Sequence, residues 1–263
     1  MQEQDFSQEQ DFSAETPPPP SNSQRPEFII PTRKEGLIAL IIGLTHLLFF
    51  PLILSTVGTY MGLADASALT VLIINAIWLI IIASTVGFFL KDFFKRSWNA
   101  FRANPKDKFI LNIVIAWAII YIGNMLVNLL ILPVLGYNVL DGDTINMQMN
   151  MSIASPVLML LTAGLLAPVV EETIFRGALF GRLHIKSPIL AYAITIPLFA
   201  IAHVWQFALS DPTQIILALT WIPMGIGFAI VYRRTGNIFS AITLHMLCNI
   251  IAIAAQILLM TIT

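Results

Sequence analysis

The sequence predicts an all-α fold, a polytopic membrane helical bundle with about seven transmembrane helices and a disordered cytosolic N-terminal tail. Hydrophobic residues make up 57% of the 263 residues, whereas Asp, Glu, Lys and Arg together make up only 11%. Soluble globular proteins contain about 25% charged residues, so this chain cannot cover a water-exposed surface. Apolar segments of membrane-spanning length recur along it. The composition therefore disfavours a soluble enzyme and a nucleic-acid-binding protein.

Residues 1–27 differ from the rest of the chain. They contain the direct repeat QEQDFS, at Gln2–Ser7 and Gln8–Ser13, and four consecutive prolines at Pro17–Pro20. A segment with low hydrophobicity and excess negative charge does not bury enough apolar surface to offset the entropy of ordering. We expect a disordered cytosolic tail, and not a cleaved signal peptide, because no basic region precedes an apolar core.

The apolar segments divide the remainder of the chain into seven predicted spans, separated by polar loops. The first three form an N-terminal group of transmembrane helices within residues 28–135, and the others follow from residue 150 onward. Their predicted bounds are 37–60, 69–90, 109–132, 152–181, 188–208, 214–232 and 237–262.

The basic residues predict the orientation of these spans. Thirteen of the 14 Lys and Arg residues lie in the N-terminal region or in alternate loops, and the other loops contain no basic residue. Basic loops stay on the cytoplasmic side. We therefore expect a multi-pass protein of the cell membrane with a cytoplasmic N-terminus and an extracytoplasmic C-terminus.

Polar residues inside three of the predicted spans are costly in hydrocarbon and indicate a functional site. They occur at helical i,i+4 spacing, which places both members of a pair on one helix face. The polar residues are Glu171, Glu172 and Arg176 in the fourth span, His203 in the fifth, and His245 and Asn249 in the seventh. The i,i+4 pairs are Glu172 with Arg176, the apolar Phe199 with His203, and His245 with Asn249.

Membrane depth supports their convergence. At ~1.5 Å per residue, Glu171 lies roughly 16 Å below Arg182, and His245 lies roughly 16 Å beyond Arg234. His203 is nominally ~25 Å from Lys186 by the same count, but Pro188 indicates that the helix begins later and Pro197 is expected to bend it, so we expect a depth similar to that of the other two. We expect the polar side chains of the three helices to meet in one interior cavity that faces the cytosol.

Each polar type suits a step of hydrolysis. Glu172 can pair with Arg176, which leaves Glu171 to face the cavity as a proton acceptor. His203 and His245 can hold a water, stabilise an oxyanion, or join Glu171 in binding a divalent metal ion such as Zn²⁺. Asn249, one turn beyond His245, can orient the water or donate to the oxyanion. These residue types are compatible with two mechanisms, one that uses hydrogen bonds only and one that uses a bound metal ion, and both alternatives stay open.

Three motifs resemble those of a known family. EETIFR fits the pattern EExxxR, FAIAH fits FxxxH, and HMLCN fits HxxxN. Together they are similar to the CAAX protease and bacteriocin-processing family of intramembrane proteases, over about residues 150–262. The resemblance implies a catalytic membrane domain at 150–263 with metalloendopeptidase-like activity.

The same resemblance assigns roles to the motif residues. It implies that Glu171, His203, His245 and Asn249 are catalytic. Glu172 and Arg176 then correspond to the supporting pair, and Phe199 packs beside His203.

The resulting hypothesis is an intramembrane endopeptidase that acts in the lipid bilayer on a peptide or membrane protein, with a water activated by Glu171. Two other hypotheses stay open: a non-proteolytic membrane adaptor or bacteriocin self-immunity protein with the same fold, and an ion-coupled transporter. The sequence leaves the oligomeric state open. Outside the motifs, we expect His46 to be a packing residue of the first span. Within HMLCN, we expect Cys248 to be an inert buried thiol.

Overall fold

The fold is built from helices in the part of the chain that the structure describes. The computed structural model describes residues 28–60, 67–103, 106–138, 140 and 142–262. These residues contain no β-strand, so the predicted all-α fold is confirmed. The predicted disordered tail, 1–27, lies outside the described residues.

The described residues of the first half form six α-helices, and π-helical turns interrupt two of the long helices. The bounds are α1 Arg33–Leu44, a π-helical segment Thr45–Phe49, α2 Phe50–Tyr60, α3 Ala68–Phe89, α4 Lys91–Ala103, α5 Lys106–Leu126, a π-helical segment Val127–Ile131 and α6 Leu132–Val134. Leu44 and Phe50 keep right-handed helical dihedral angles on either side of the first π-helical segment. The chain from α1 to α2 is therefore one continuous helix.

The second half is more irregular, with two π-helical segments and a long 3₁₀ helix. The bounds are α7 Asp143–Ala154, α8 Pro156–Met159, a π-helical segment Leu160–Leu166, α9 Ala167–Glu172, a π-helical segment Thr173–Phe180, α10 Gly181–Lys186, α11 Pro188–Ala202, α12 Trp205–Ala208, a 3₁₀ helix Pro212–Trp221, α13 Ile222–Thr235 and α14 Ile238–Ile262.

Side-chain caps fix where several helices begin. Thr32 and Glu35 form a reciprocal capping box at α1, in which Glu35 accepts from the Thr32 amide at 2.7 Å. Ser187 caps α11, whose first residue is proline. Such caps satisfy amide groups that have no partner inside the helix. At the C-terminal end of α13, Gly236 has φ 65°, a left-handed conformation that glycine adopts without a steric penalty.

The described residues include six helices that are long and apolar enough to cross a membrane. They are Arg33–Leu54, Ala68–Phe89, Lys108–Val134, Pro156–Lys186, Pro212–Thr235 and Ile238–Leu259. The chain is thus a multi-pass membrane protein with a polytopic helical bundle, as the sequence predicts. The predicted number of seven spans is approximate, because the fifth predicted span is a shorter apolar helix, Pro188–Ala202.

The fifth span, predicted to reach residue 208, ends its regular helix at Ala202. The amide of His203 bonds the carbonyl of Ala200 at 3.2 Å, which tightens the last turn. The His203 carbonyl accepts a hydrogen bond from Thr144 Oγ1 at 3.1 Å. Because Thr144 lies on α7, a residue far away in the sequence contributes to where this helix ends.

The hydrophobic core joins the two halves of the chain. One cluster of buried side chains contains Phe93 and Ile120 from the first half and Phe175, Phe199 and Phe228 from the second. At one end of the bundle, Arg182 donates to the carbonyl of Pro31 at 3.1 Å, and the Ile29 amide donates to Gly236 at 3.0 Å. The N-terminal helices therefore pack directly on the region that carries the three motifs.

Helix α13 packs closely against α5 at Gly227. A Cβ atom at this position would lie 3.1 Å from the Ala116 carbonyl and 2.5 Å from Ile120 Cδ1. Small residues of this kind let helix backbones approach each other in membranes.

Replacing Gly227 by Ala should lower the free energy of unfolding by about 1–3 kcal/mol, because the methyl group overpacks the contact between the helices. Thermal unfolding of the purified protein in detergent measures this. Gly87→Ala is the matched control, since a Cβ at Gly87 meets no atom within 4 Å, and it should leave stability unchanged or raise it by up to about 1 kcal/mol. Equal losses in both variants would contradict the proposed packing.

Candidate active site

The two adjacent glutamates lie where the helical winding changes. A short α-helical stretch, Ala167–Glu172, stands between the π-helical segments Leu160–Leu166 and Thr173–Phe180. π-helical turns are rare and frequently occur at functional sites, where they change the direction of side chains. Glu172 is completely buried, and the side chain of Glu171 is 12% exposed. The two carboxylates thus have different surroundings, as their adjacent positions on a helix predict.

Glu172 is the centre of a buried network that connects two helices. Its Oε1 atom accepts from Arg176 Nη1 at 3.1 Å and from His245 Nδ1 at 2.8 Å. The predicted i,i+4 ion pair is present. A guanidinium stays charged in proteins, and a carboxylate only accepts. His245 therefore carries its hydrogen on Nδ1, and the Nε2 atom of the neutral ring has a free lone pair.

Arg176 is held by a second set of contacts. Nη2 donates to the carbonyl of Gly225 on α13 at 3.1 Å. The guanidinium carbon lies 4.4 Å from the ring centroid of Phe199 and 5.2 Å from that of Phe228. Aromatic faces stabilise a desolvated cation. The charge of Arg176, which is 1% exposed, is therefore compensated on several sides.

His203 is fixed at the end of α11. Its Nδ1 lies 2.7 Å from the Phe199 carbonyl, which accepts a hydrogen bond and so requires the hydrogen on Nδ1. The ring stacks on Trp221, with 3.9 Å between the centroids. Phe199, predicted to pack beside His203, has its ring centroid 4.6 Å from the imidazole and supplies the carbonyl that orients it.

Both histidines direct Nε2 toward Glu171. The Oε2 atom of Glu171 is 3.6 Å from His203 Nε2 and 3.9 Å from His245 Nε2. It is buried and has no hydrogen-bond partner among the described residues. Three helical segments that are distant in sequence therefore bring three polar atoms together, at separations slightly longer than a direct hydrogen bond.

Asn249 lies one helical turn beyond His245 on α14. Its Nδ2 donates to the carbonyl of Ala163 at 2.8 Å, in the π-helical segment before the glutamates. One of the two N–H groups of the amide is thus directed at the backbone. The structure places Asn249 beside the site, and its predicted catalytic role stays a prediction.

Sequence reasoning missed several residues that shape this site. Trp221 and Phe228 stack on His203 and His245 respectively, and Thr144 bonds the His203 carbonyl. His46, expected only to pack, interacts electrostatically with Glu171 and His203. Of these residues, only His46 could have been identified from the sequence, because it is an ionisable residue within a predicted span.

The predicted metal site can be compared with this geometry. Two imidazole nitrogens and a carboxylate are suitable donor types for Zn²⁺. In the part of the chain that the structure describes, however, no group of three His, Cys, Asp or Glu side chains is arranged to hold a metal ion. The described residues therefore show no preformed metal site, and Glu171, His203 and His245 as metal ligands stay a prediction.

The buried ion pair can be tested without a substrate. Glu172→Gln leaves Arg176 charged and without its carboxylate, which should lower the free energy of unfolding by about 3–5 kcal/mol. Arg176→Met should cost a similar amount, because Glu172 then lacks its guanidinium. The double variant should lose much less than the sum, since neither charge is left alone. Chemical unfolding in detergent measures the cycle, and additive losses would show that the pair is not coupled.

The comparisons with known proteins concern the segment that carries this site. Residues 153–251 match the family described as "Type II CAAX prenyl endopeptidase Rce1-like". A protein of Bacillus subtilis (strain 168) named "Putative membrane peptidase YdiL" is 31% identical over 101 residues, which are 38% of this chain and 38% of that protein. No solved structure matches the chain significantly. The resemblance to the CAAX protease and bacteriocin-processing family is therefore confirmed, and the segment 153–251 is similar to its Rce1-like endopeptidases.

Proposed function

We propose that this protein is an intramembrane endopeptidase that hydrolyses a peptide bond with a water molecule activated by Glu171. The observation that carries the proposal is the approach of His203 Nε2 and His245 Nε2 to one buried carboxylate oxygen, at 3.6 and 3.9 Å. The similarity of residues 153–251 to CAAX prenyl endopeptidases supports peptide-bond hydrolysis as the reaction.

A water molecule suits the space between these atoms. Polar groups slightly more than 3.5 Å apart are commonly bridged by water. The water donates one hydrogen to Glu171 Oε2 and the other to His203 Nε2, so that its oxygen can attack the substrate carbonyl carbon. Glu171 takes the proton as the C–O bond forms. It then transfers this proton to the amine nitrogen as the C–N bond breaks.

In this proposal, Asn249 stabilises the developing oxyanion. His245 donates from Nδ1 to Glu172, which fixes its ring with Nε2 facing Glu171 and the water. Asn249 has a second N–H group besides the one that bonds Ala163. Donors aimed at the charge that develops in the transition state contribute a large part of catalysis in water-excluded sites.

The position of the site determines the kind of substrate. The glutamates lie within the membrane-spanning helix Pro156–Lys186, and a soluble folded protein would not reach them. We propose peptides or membrane proteins as substrates. Access from the cytosol, a cytoplasmic N-terminus and an extracytoplasmic C-terminus remain part of the proposal, supported by the distribution of basic residues.

Glu171→Gln should lower kcat for peptide hydrolysis by about 10²- to 10⁴-fold, because an amide cannot accept the proton of the water. The variant should keep the thermal stability of the wild type, since the ion pair of Glu172 is untouched. The assay uses purified protein in detergent or proteoliposomes with membrane-peptide substrates. Asp211, a partly exposed residue that caps the 3₁₀ helix Pro212–Trp221, gives the matched carboxylate control, and Asp211→Asn should retain wild-type activity.

The same variant distinguishes the non-proteolytic adaptor from the enzyme. If Glu171→Gln and His203→Ala both retain full biological activity in cells, the peptidase proposal is wrong. A folded, stable Glu171→Gln variant that loses both cleavage and biological activity supports it.

The proposed mechanism uses side chains and water, so activity should survive dialysis against a chelator such as EDTA. Elemental analysis of the purified protein should find less than one metal ion per chain. The physical reason is that three donor side chains are not arranged as a metal site among the described residues. Stoichiometric zinc that is lost together with activity in His245→Ala would contradict this expectation and establish a metallopeptidase.

A further inference from the structure

His46 lies in the first membrane-spanning helix, outside the segment that resembles the endopeptidase family. It belongs to the π-helical segment Thr45–Phe49, within the span Arg33–Leu54. An ionisable residue at such a position is costly in hydrocarbon and calls for a functional explanation.

The register between two helices brings His46 to the level of Glu171. Arg182 bonds the carbonyl of Pro31, and a Cβ at Gly43 would lie 2.9 Å from Ile174 Cγ2. Along the first span and the residues just before it, the residue number rises from Pro31 to Gly43, while the number of the contact partner falls from Arg182 to Ile174. The spans Arg33–Leu54 and Pro156–Lys186 are therefore antiparallel. Three residues beyond Gly43 is His46, and three residues before Ile174 is Glu171. Residues three apart share a helix face, so the two side chains belong to the same contact face at the same height.

Two further observations place His46 next to the site. The carbonyl of the next residue, Leu47, accepts a hydrogen bond from Trp205 Nε1 at 3.0 Å, and Trp205 follows His203 by two residues. His46 also interacts electrostatically with both Glu171 and His203. The three observations agree with one another.

Trp78 determines which nitrogen of His46 carries the hydrogen. The indole Nε1–H donates to His46 Nδ1 at 3.1 Å, and the Trp78 ring is itself stacked on Phe50 with 4.5 Å between centroids. An indole nitrogen only donates. His46 Nδ1 is therefore an acceptor, and the hydrogen of the neutral ring is on Nε2. This tautomer is the opposite of the one assigned to His203 and His245.

We propose that His46 is a positioning residue of the site, whose Nε2–H group orients the carboxylate of Glu171. Among the four histidines of the chain, it supplies a donor where the neutral rings of His203 and His245 present lone pairs. A hydrogen bond from this donor through one water fixes the carboxylate in the orientation that accepts the proton. This inference rests on the proposed function, because it concerns the same glutamate.

Kinetics provide the first test. A hydrogen bond to a charged group contributes about 1.5–3 kcal/mol, so His46→Leu should lower kcat roughly 10- to 100-fold with little change in KM. His46→Gln places an amide N–H near the position of Nε2 and should recover most of the loss. Trp78→Phe removes the donor that fixes the tautomer of His46. Its kcat should lie between those of the wild type and His46→Leu. Thr45→Val is the matched control, because the Thr45 hydroxyl bonds its own helix at the Ile41 carbonyl.

Nitrogen NMR of ¹⁵N-histidine-labelled protein in detergent gives a second test that needs no substrate. The ring-nitrogen signals of the four histidines, two for each ring, can be assigned with single His→Gln variants. His46 should be the Nε2–H tautomer, and its Nε2 resonance should move in Glu171→Gln. Protonation of Nδ1, or a resonance that ignores Glu171→Gln, would overturn the inference. An active wild type with an unaffected kcat in His46→Leu would overturn it too, whereas a wild type without peptidase activity would overturn the proposed function and leave the NMR result to decide on His46.

Discussion

The site depends on one carboxylate oxygen, Glu172 Oε1, which is shared by Arg176 and His245. Arg176 cannot lose its proton inside the bundle, so its partner has to be ionised. An ionised carboxylate accepts the hydrogen of His245 Nδ1, and this leaves Nε2 directed at Glu171. One buried charge thus fixes a tautomer, a ring orientation and, through the bond of Arg176 to Gly225, the position of α13.

The surroundings of this network come from the whole chain. Aromatic rings stack on both imidazoles. The ring centroids of Phe228 and His245 are 4.3 Å apart, and those of Trp221 and His203 are 3.9 Å apart. The segment that resembles known endopeptidases, 153–251, supplies these rings and the motif residues. The N-terminal helices contribute the other side of the core, including Ile120 and Phe93. The core that surrounds the site therefore includes residues from outside the matched segment, 153–251.

Sequence reasoning succeeded where the information is local. The spacing of Glu172 and Arg176 on one helix was sufficient to predict their ion pair. It failed where a distant partner decides. The sequence after Ala202 gives no sign that α11 ends there. One contribution comes from Thr144 on α7, whose hydroxyl donates to the carbonyl of His203 and which is distant in the sequence. The position of His46 depends on the register between two helices, which a single sequence does not contain.

The charges in the membrane interior connect the stability of the site with the proposed reaction. Glu171 and Glu172 bring two negative charges, and Arg176 balances one of them. The remaining negative charge is expensive in a low dielectric unless hydrogen-bond donors reach it, and in the proposed mechanism the attacking water and the Nε2–H group of His46 are these donors. Hydrolysis of a peptide bond requires a proton at the leaving amine nitrogen. In the proposed mechanism, Glu171 takes this proton from the attacking water and passes it to the nitrogen, so the buried negative charge that needs a donor is also the base that supplies the leaving group.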